Sequence, residues 1–325
     1  MINMSDSVTS LSDITKLSND IRSEVNKSIV GLSRHIDTLT LSLLTGGHVL
    51  LEGMPGTAKT FLAVSFTKAL SLGSNRIQST PDMMPGDITG TRIYNPKTLE
   101  FDFHAGPIFA NIVIVDEINR APPRSQAALL EAMQEGQVTV DGATSYLDKP
   151  FMVVATKNPL EYEGTFPLSP TQLDRFMFKL NLDYPNSDDA ISILKSKSSS
   201  EVTTSIISKD TILNAQNLIM NNTSVDENVS IFIAKVVKLT RNTQGIILGA
   251  SPTASVSLLN AARGYAAVIN GKDNVTIDDV KAVAFDVLNH RLVVKQSDIT
   301  DYVETEGDFS IEKIISDILE SASGE

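Results

Sequence analysis

The chain has no cysteine among its 325 residues. That excludes disulfides and thiolate metal sites, and it fits a cytoplasmic protein. No apolar run approaches the roughly 18 residues needed to span a bilayer, so no membrane insertion is expected. The first 26 residues are rich in Ser, Thr and Asp and lack the basic start and apolar core of a secretory signal. Basic residues are in deficit, 27 Lys and Arg against 39 Asp and Glu, for a formal net charge of -12. A surplus of acid works against non-specific affinity for nucleic acid, which rests on neutralising phosphates, and leaves only a local basic channel as a route. The four histidines, His35, His48, His104 and His290, are scattered without metal-ligand spacing and read as structural. There is no serine nucleophile on a strained-elbow motif. The length suffices for two domains and a substantial core, and the 42% hydrophobic and 20% charged content is ordinary for a globular protein.

What is present is concentrated at residues 53–60, Gly-Met-Pro-Gly-Thr-Ala-Lys-Thr, between the apolar run Val49-Leu50-Leu51-Glu52 and a helical pattern that begins at Phe61. A strand, a loop and a helix start in this order present successive backbone N–H groups to a phosphate chain. Gly53, Pro55, Gly56, Thr57, Ala58 and Phe61 are the expected nucleotide contacts around Lys59, which would reach the β/γ oxygens, and Thr60, whose hydroxyl would ligate Mg²⁺. The pattern has Gly where this chain has Ala58; a methyl there is expected to be tolerable only at negative φ.

Apolar positions from Ile29 to Leu44 recur at roughly helical spacing and predict a helix over 27–45. Short apolar runs follow at Val49–Leu51, Ile112–Val115, Phe151–Ala155 and Phe178–Leu182, separated by helical stretches such as Ser125–Gln134. Strands alternating with helices predict an α/β domain whose parallel sheet is flanked by helices. Two hairpins are expected within it. One pairs Gly90–Tyr94 with Leu99–Phe103 around a four-residue turn at Asn95–Thr98; the other pairs Gln137–Val140 with Thr144–Leu147 around Asp141-Gly142-Ala143. Beyond Tyr184-Pro185 only helical patterns remain, at Asp188–Lys197, Lys209–Met220, Val225–Arg241, Pro252–Ile269 and Ile277–His290. The expected organisation is a polar segment at 1–26, the α/β core at 27–185, a small all-α domain at 186–295, and an acidic tail at 296–325 with an amphipathic stretch at Ile311–Leu319.

The run Ile112-Val113-Ile114-Val115 ends in Asp116-Glu117. Alone, this is equally a buried strand ending in solvated acids. Some 60 residues after a phosphate loop, Asp116 is placed to hold Mg²⁺ and Glu117 to polarise the water that attacks the γ-phosphate. Asn158 closes a third apolar run and could orient that water, although Asn-Pro also starts turns.

The element order resembles the AAA+ ATPases, and the literal strings resemble the MoxR family within them. The carrying segments are GGHVLLEGMPGTAKT at 46–60, DITGTRIYNPKT at 87–98, GPIFANIVIVDEINRAPPRSQAALLEAMQEGQVTVDG at 106–142, NPLEYEGTFPLSPTQLDRFMFKL at 158–180 and GASPTAS at 249–255. Ala in the phosphate loop is shared with that family. The resemblance implies a P-loop AAA+ core with two hairpin insertions, a helical lid, and a homo-oligomeric ring, usually hexameric, with ATP and Mg²⁺ between neighbouring subunits. It puts Lys59, Thr60, Asp116, Glu117 and Asn158 in the Walker A, Walker B and first-sensor roles. Arg175 falls in the role of an arginine finger reaching the neighbour's nucleotide, and Val30 and Gly31 in the adenine strip, with Leu32 where relatives often have Gln. From the residues alone, Arg175 reads equally as a surface ion-pairing residue, and Arg120 reads better as a salt-bridge partner than as a second finger. At the second sensor, Thr253 stands where the family commonly has Arg, and Arg263 lies too far along the same helix to replace it. The implied function is remodelling or activation of protein clients, often with partners that carry von Willebrand factor A domains. A nucleic-acid motor, or the motor subunit of a restriction or chelatase complex, is the alternative. Against it, residues 137–147 contain Asp141 and no basic residue.

Overall fold

The structure is a computed structural model that describes residues 8–161, 163–195, 207–295 and 310–324. The start of the polar N-terminal segment, the last two residues of the helix expected at Asp188–Lys197, and positions 296–309 of the tail lie outside the described residues.

The core strands are β1 (Val49–Gly53), β2 (Ser74–Gln78), the hairpin β3 (Gly90–Asn95) and β4 (Glu100–Ala105), β5 (Ile112–Asp116), the hairpin β6 (Gln137–Val140) and β7 (Ala143–Tyr146), β8 (Met152–Lys157) and β9 (Phe178–Leu182). Five of them form one sheet in the order β2-β5-β8-β1-β9, every neighbouring pair parallel. A strand inside such a sheet is covered on both faces, and alternate residues serve opposite cores. Thus β5 gives Ile112 and Ile114 to one apolar cluster and Val113 and Val115 to the other.

The helices are α1 (Leu11–Asn26), α2 (Ser33–Leu44), α3 (Lys59–Lys68), α4 (Pro85–Thr89), α5 (Pro123–Glu135), α6 (Pro170–Leu173), α7 (Ser187–Lys195), α8 (Lys209–Asn222), α9 (Glu227–Asn242), α10 (Pro252–Gly264), α11 (Ile277–Leu288) and α12 (Ile311–Ser323). α8 to α12 pack as a helical lid, with α10 continuing into a π-helical turn at Tyr265–Ile269, whereas α7 buries no side chain. The expected all-α region also holds two short strand pairs, Ser224–Val225 with Asn274–Val275 and Ile246–Leu248 with Val293–Val294.

Several expectations shift. The helix expected over 27–45 begins only at Ser33, because α1 ends at Asn26 and Gly31 turns the chain with φ 81°. That glycine is packed against α7, where a Cβ would meet Asp189 at 2.5 Å. Within the polar first segment, α1 is a formed helix: Ser10 and Asp13 make a reciprocal capping box, and Ile14, Ile21 and Val25 are buried. The Thr15 hydroxyl donates to the Ala267 carbonyl at 3.1 Å, tying α1 to the π-helical turn. At the other end, α12 docks through Ile314, Ile315 and Ile318, and Lys235 donates to the Ala322 carbonyl at 2.8 Å.

β2 has no counterpart among the runs read from the sequence. It carries one buried apolar residue, Ile77, because it is an edge strand with most of its side chains exposed. Its partner β5 supplies the pairing, in the register Arg76↔Ile114 and Gln78↔Asp116. The first hairpin closes one residue later than expected, with Asn95 opposite Glu100. Asn95 accepts the Lys97 N–H at 3.0 Å through its side chain, and Leu99 takes φ 60°. In the second hairpin the turn is the two residues Asp141-Gly142, both at positive φ (50° and 78°), so Ala143 belongs to β7.

His48 and His290 are buried and satisfied. His48 accepts the Val153 N–H at 3.0 Å and donates to the Met133 carbonyl at 3.2 Å; burial holds its pKa down to about 4, so it is neutral.

Candidate functional site

The carboxyl ends of β1, β5 and β8 open on a cleft of about 380 Å³. It is lined by Pro55, Gly56, Thr57, Ala58, Lys59, Thr60 and Phe61 from the loop and α3, by Asp116 at the end of β5 and Glu117 after it, and by Asn158 after β8. Open α/β sheets take ligands at this edge.

The loop is built for close backbone approach. A Cβ on Gly53 would meet the Leu182 carbonyl at 2.4 Å, so only glycine allows the end of β1 to lie against β9. Gly56 has φ 83°. Ala58 overturns the expectation of negative φ, since it stands at φ 61°, ψ 22°, in the left-handed region at the N-terminus of α3. A Cβ in that region costs about 1 kcal/mol, so the loop holds its methyl under strain, a property of functional turns. Ala58→Gly is therefore expected to raise the unfolding free energy of the core by about 1 kcal/mol, less the extra flexibility of the unfolded chain, with nucleotide affinity kept. Denaturant titration beside nucleotide binding checks this.

Lys59 folds back on its own loop and donates to the carbonyls of Gly53 at 2.6 Å and Met54 at 2.7 Å. Burial pushes its ammonium below the ordinary lysine range, against the upward pull of Glu117 and Glu161. A cation held only by carbonyls of a phosphate-shaped loop has an obvious better partner in an anion.

Asp116 is 2% exposed, and both its oxygens are engaged: Thr60 Oγ1 donates to Oδ1 at 2.5 Å, and Arg76 Nε to Oδ2 at 2.5 Å. A hydroxyl and a carboxylate converging at the cleft are hard oxygen donors, which fit Mg²⁺, an ion that takes few protein ligands and fills its remaining positions with water and phosphate. Among the described residues there is no group of three or more His, Cys, Asp or Glu that could hold a metal.

Glu117 sits at φ 53°, turned out of the strand, with its N–H on the Thr156 hydroxyl at 3.0 Å. Its Oε2 accepts from Arg120 Nη1 at 3.1 Å and Gln78 Nε2 at 3.4 Å. Arg120 is thus a salt-bridge partner of Glu117 within the chain. Asn158 is 5% exposed and accepts the Leu160 N–H at 3.2 Å.

The remaining expected residues stand apart from this cleft. Val30 and Gly31 are not among the residues that line the cleft, Gly31 packing against Asp189 of α7, and Gly53 contributes its carbonyl to Lys59 without lining the cleft. Arg175 is exposed on the turn after α6. Thr253 is exposed in the first turn of α10, and Arg263 sits in the last turn of that helix. The sequence reading missed Arg76, Gln78, Thr156 and Glu161, all of which line the cleft. Thr156 was within a recognised strand and could have been found by its position opposite the Asp-Glu pair; Arg76 and Gln78 lay on the unrecognised β2.

Among known proteins, the model of the ATPase family associated with various cellular activities (AAA) matches residues 48–178, and that of the AAA lid domain matches 238–311. The chain is 43% identical over 274 residues to the uncharacterised protein YeaC of Bacillus subtilis, covering 83% of this chain and 85% of that one. It is 40% identical over 293 residues to chaperone MoxR1 of Mycobacterium tuberculosis, covering 87% of this chain and 77% of the relative. The crystal structure of a candidate ATPase from Cytophaga hutchinsonii matches with a TM-score of 0.84 at 37% identity, covering 95% of both chains. Among the described residues no helix is long and apolar enough to cross a membrane. The likeness runs through core and lid together, and on it the chain belongs to the MoxR family of AAA+ ATPases.

Proposed function

We propose that this ATPase hydrolyses ATP with Mg²⁺ at the cleft, in a homo-oligomeric ring of hexameric type, and uses the cycle to move lid against core and remodel or activate a client protein. The observation that carries the reading is the convergence of Lys59, Thr60, Asp116, Glu117 and Asn158 on one cleft, with Thr60 and Asp116 2.5 Å apart. Lys59 leaves its loop carbonyls for the β/γ-phosphate oxygens, while the loop N–H groups hold the phosphate chain. Thr60 and Asp116 hold Mg²⁺, which when bound neutralises charge on the phosphates. Glu117 orients and deprotonates the attacking water, and Asn158 fixes that water or the γ-phosphate. Arg175 acts on the neighbour's nucleotide, and Val30 and Gly31 flank the adenine. The chaperone name of the Mycobacterium tuberculosis relative supports a protein client. A partner with a von Willebrand factor A domain is what the family resemblance implies for that task. The test is steady-state ATP turnover with Mg²⁺ and with EDTA: chelation should abolish it and added Mg²⁺ restore it. Turnover that persists in EDTA would sink the magnesium assignment.

Thr253 makes a second prediction. An uncharged residue at this first turn of α10 leaves the lid without a cation for the γ-phosphate, so turnover is slow and lid closure weak. One charge-assisted hydrogen bond contributes about 1.5–3 kcal/mol, so Thr253→Arg should tighten ATP binding or raise turnover roughly 10- to 100-fold. No change in either contradicts the idea.

A further inference from the structure

Arg175 is exposed, yet the residues on either side of it, Asp174 and Phe176, are hydrogen-bonded to the lid. The turn after α6 and the start of β9 (Asp174 to Lys179) are gripped by three consecutive lid residues that follow α11. Asn289 Nδ2 donates to the Lys179 carbonyl at 3.1 Å and His290 Nε2 to the Phe176 carbonyl at 2.9 Å. Arg291 donates to the carbonyls of Met177 at 3.1 Å, Phe176 at 2.6 Å and Asp174 at 3.2 Å, and its Nε meets Asp174 Oδ1 at 2.7 Å. The second Asp174 oxygen accepts the Ser251 hydroxyl at 2.8 Å, and Ser251 is the N-cap of α10. Both oxygens of the carboxylate next to Arg175 are therefore bound by the lid, from the segment after α11 and from the N-cap of α10.

Arg291 is 4% exposed, and its fork is filled by further bonds to the Val287 carbonyl and, at 3.2 Å, to Ser257. A buried ion pair that only filled space could be exchanged for apolar side chains with little loss. Here the guanidinium is directed at the backbone of one turn, a task that needs a planar, multi-donor group; lysine, a point charge, cannot reproduce it.

We propose that Asp174, Arg291 and Ser251 form a positioning clamp through which the lid of one subunit sets Arg175 for the cleft of its neighbour. The inference rests on the reading that Arg175 works in trans. The clamp makes finger placement depend on the lid of the same subunit, so a lid that moves with its own nucleotide changes turnover next door.

None of Asp174, Ser251 and Arg291 lines the cleft, so loss of the clamp should leave ATP affinity and KM unchanged. Misplacing a reacting group by about 1 Å costs on the order of 100-fold in rate, so kcat should fall roughly 10- to 100-fold in Arg291→Lys and in Asp174→Asn. The decisive experiment mixes subunits. Each clamp variant is combined with Glu117→Gln, whose own cleft is inactive but whose Arg175 and clamp are intact; Arg175→Ala combined with Glu117→Gln is the control. Turnover regained in both mixtures, at neighbour pairs that join an intact cleft to an intact finger, is the expected result. If the control recovers and the clamp mixtures do not, the clamp acts within its own subunit and the proposal is overturned. If the control fails too, Arg175 does not work in trans, and the proposal falls together with the reading beneath it. Wild-type kcat in either clamp variant, or loss of ATP binding in both, also overturns it.

Discussion

Glu117→Gln is expected to stop turnover while leaving ATP bound. Glu117 is held out of β5 by its left-handed backbone, with its N–H on Thr156 and its carboxylate between Arg120 and Gln78. Glutamine keeps the size and the accepting oxygen, so both neighbours stay satisfied and the fold has no reason to respond. What it loses is the ability to take a proton from water. A positioned general base contributes about 10²–10⁴ in rate, and the variant should lose about that much. Phosphate release and binding of a fluorescent nucleotide, measured side by side, separate the two properties. Turnover within a few-fold of the unaltered protein would assign the base elsewhere, and loss of binding would mean that the carboxylate holds nucleotide.

Arg175→Ala is expected to have an effect as large at a residue outside the cleft. Its side chain is exposed and, among the described residues, makes no ion pair within its own chain, so alanine should cost little stability. A finger supplied by a neighbour stabilises charge in the transition state and contributes on the order of 10³–10⁵ in rate. The variant should therefore assemble and bind ATP as before and turn over at a background rate. Unchanged turnover in an assembled ring would return Arg175 to an ordinary surface cation.

The phosphate loop and the Asp-Glu pair were legible because their chemistry needs particular residues in sequence, and the strands that carry them are buried on both faces and thus continuously apolar. β2 was illegible for the opposite reason: an edge strand with a single buried residue is defined by its partner's hydrogen bonds, and hydrophobic pattern records none of them. Arg76 and Gln78 were lost with it. Ala58 illustrates a different gap. Residue type argued for negative φ, but the loop between β1 and α3 imposes the left-handed conformation and tolerates the methyl because it faces open space. The clamp on Asp174 joins residues 77 and 117 positions apart, a pairing no local pattern reveals.

Completion of the cleft by a second copy of the chain is the central proposal. The measurement is ATP turnover per subunit across a wide range of protein concentration, with oligomer size followed in parallel by light scattering. Specific activity should be near background for the dilute monomer and should rise to a plateau in step with ring assembly. Constant specific activity down to concentrations where only monomer is present would contradict the account.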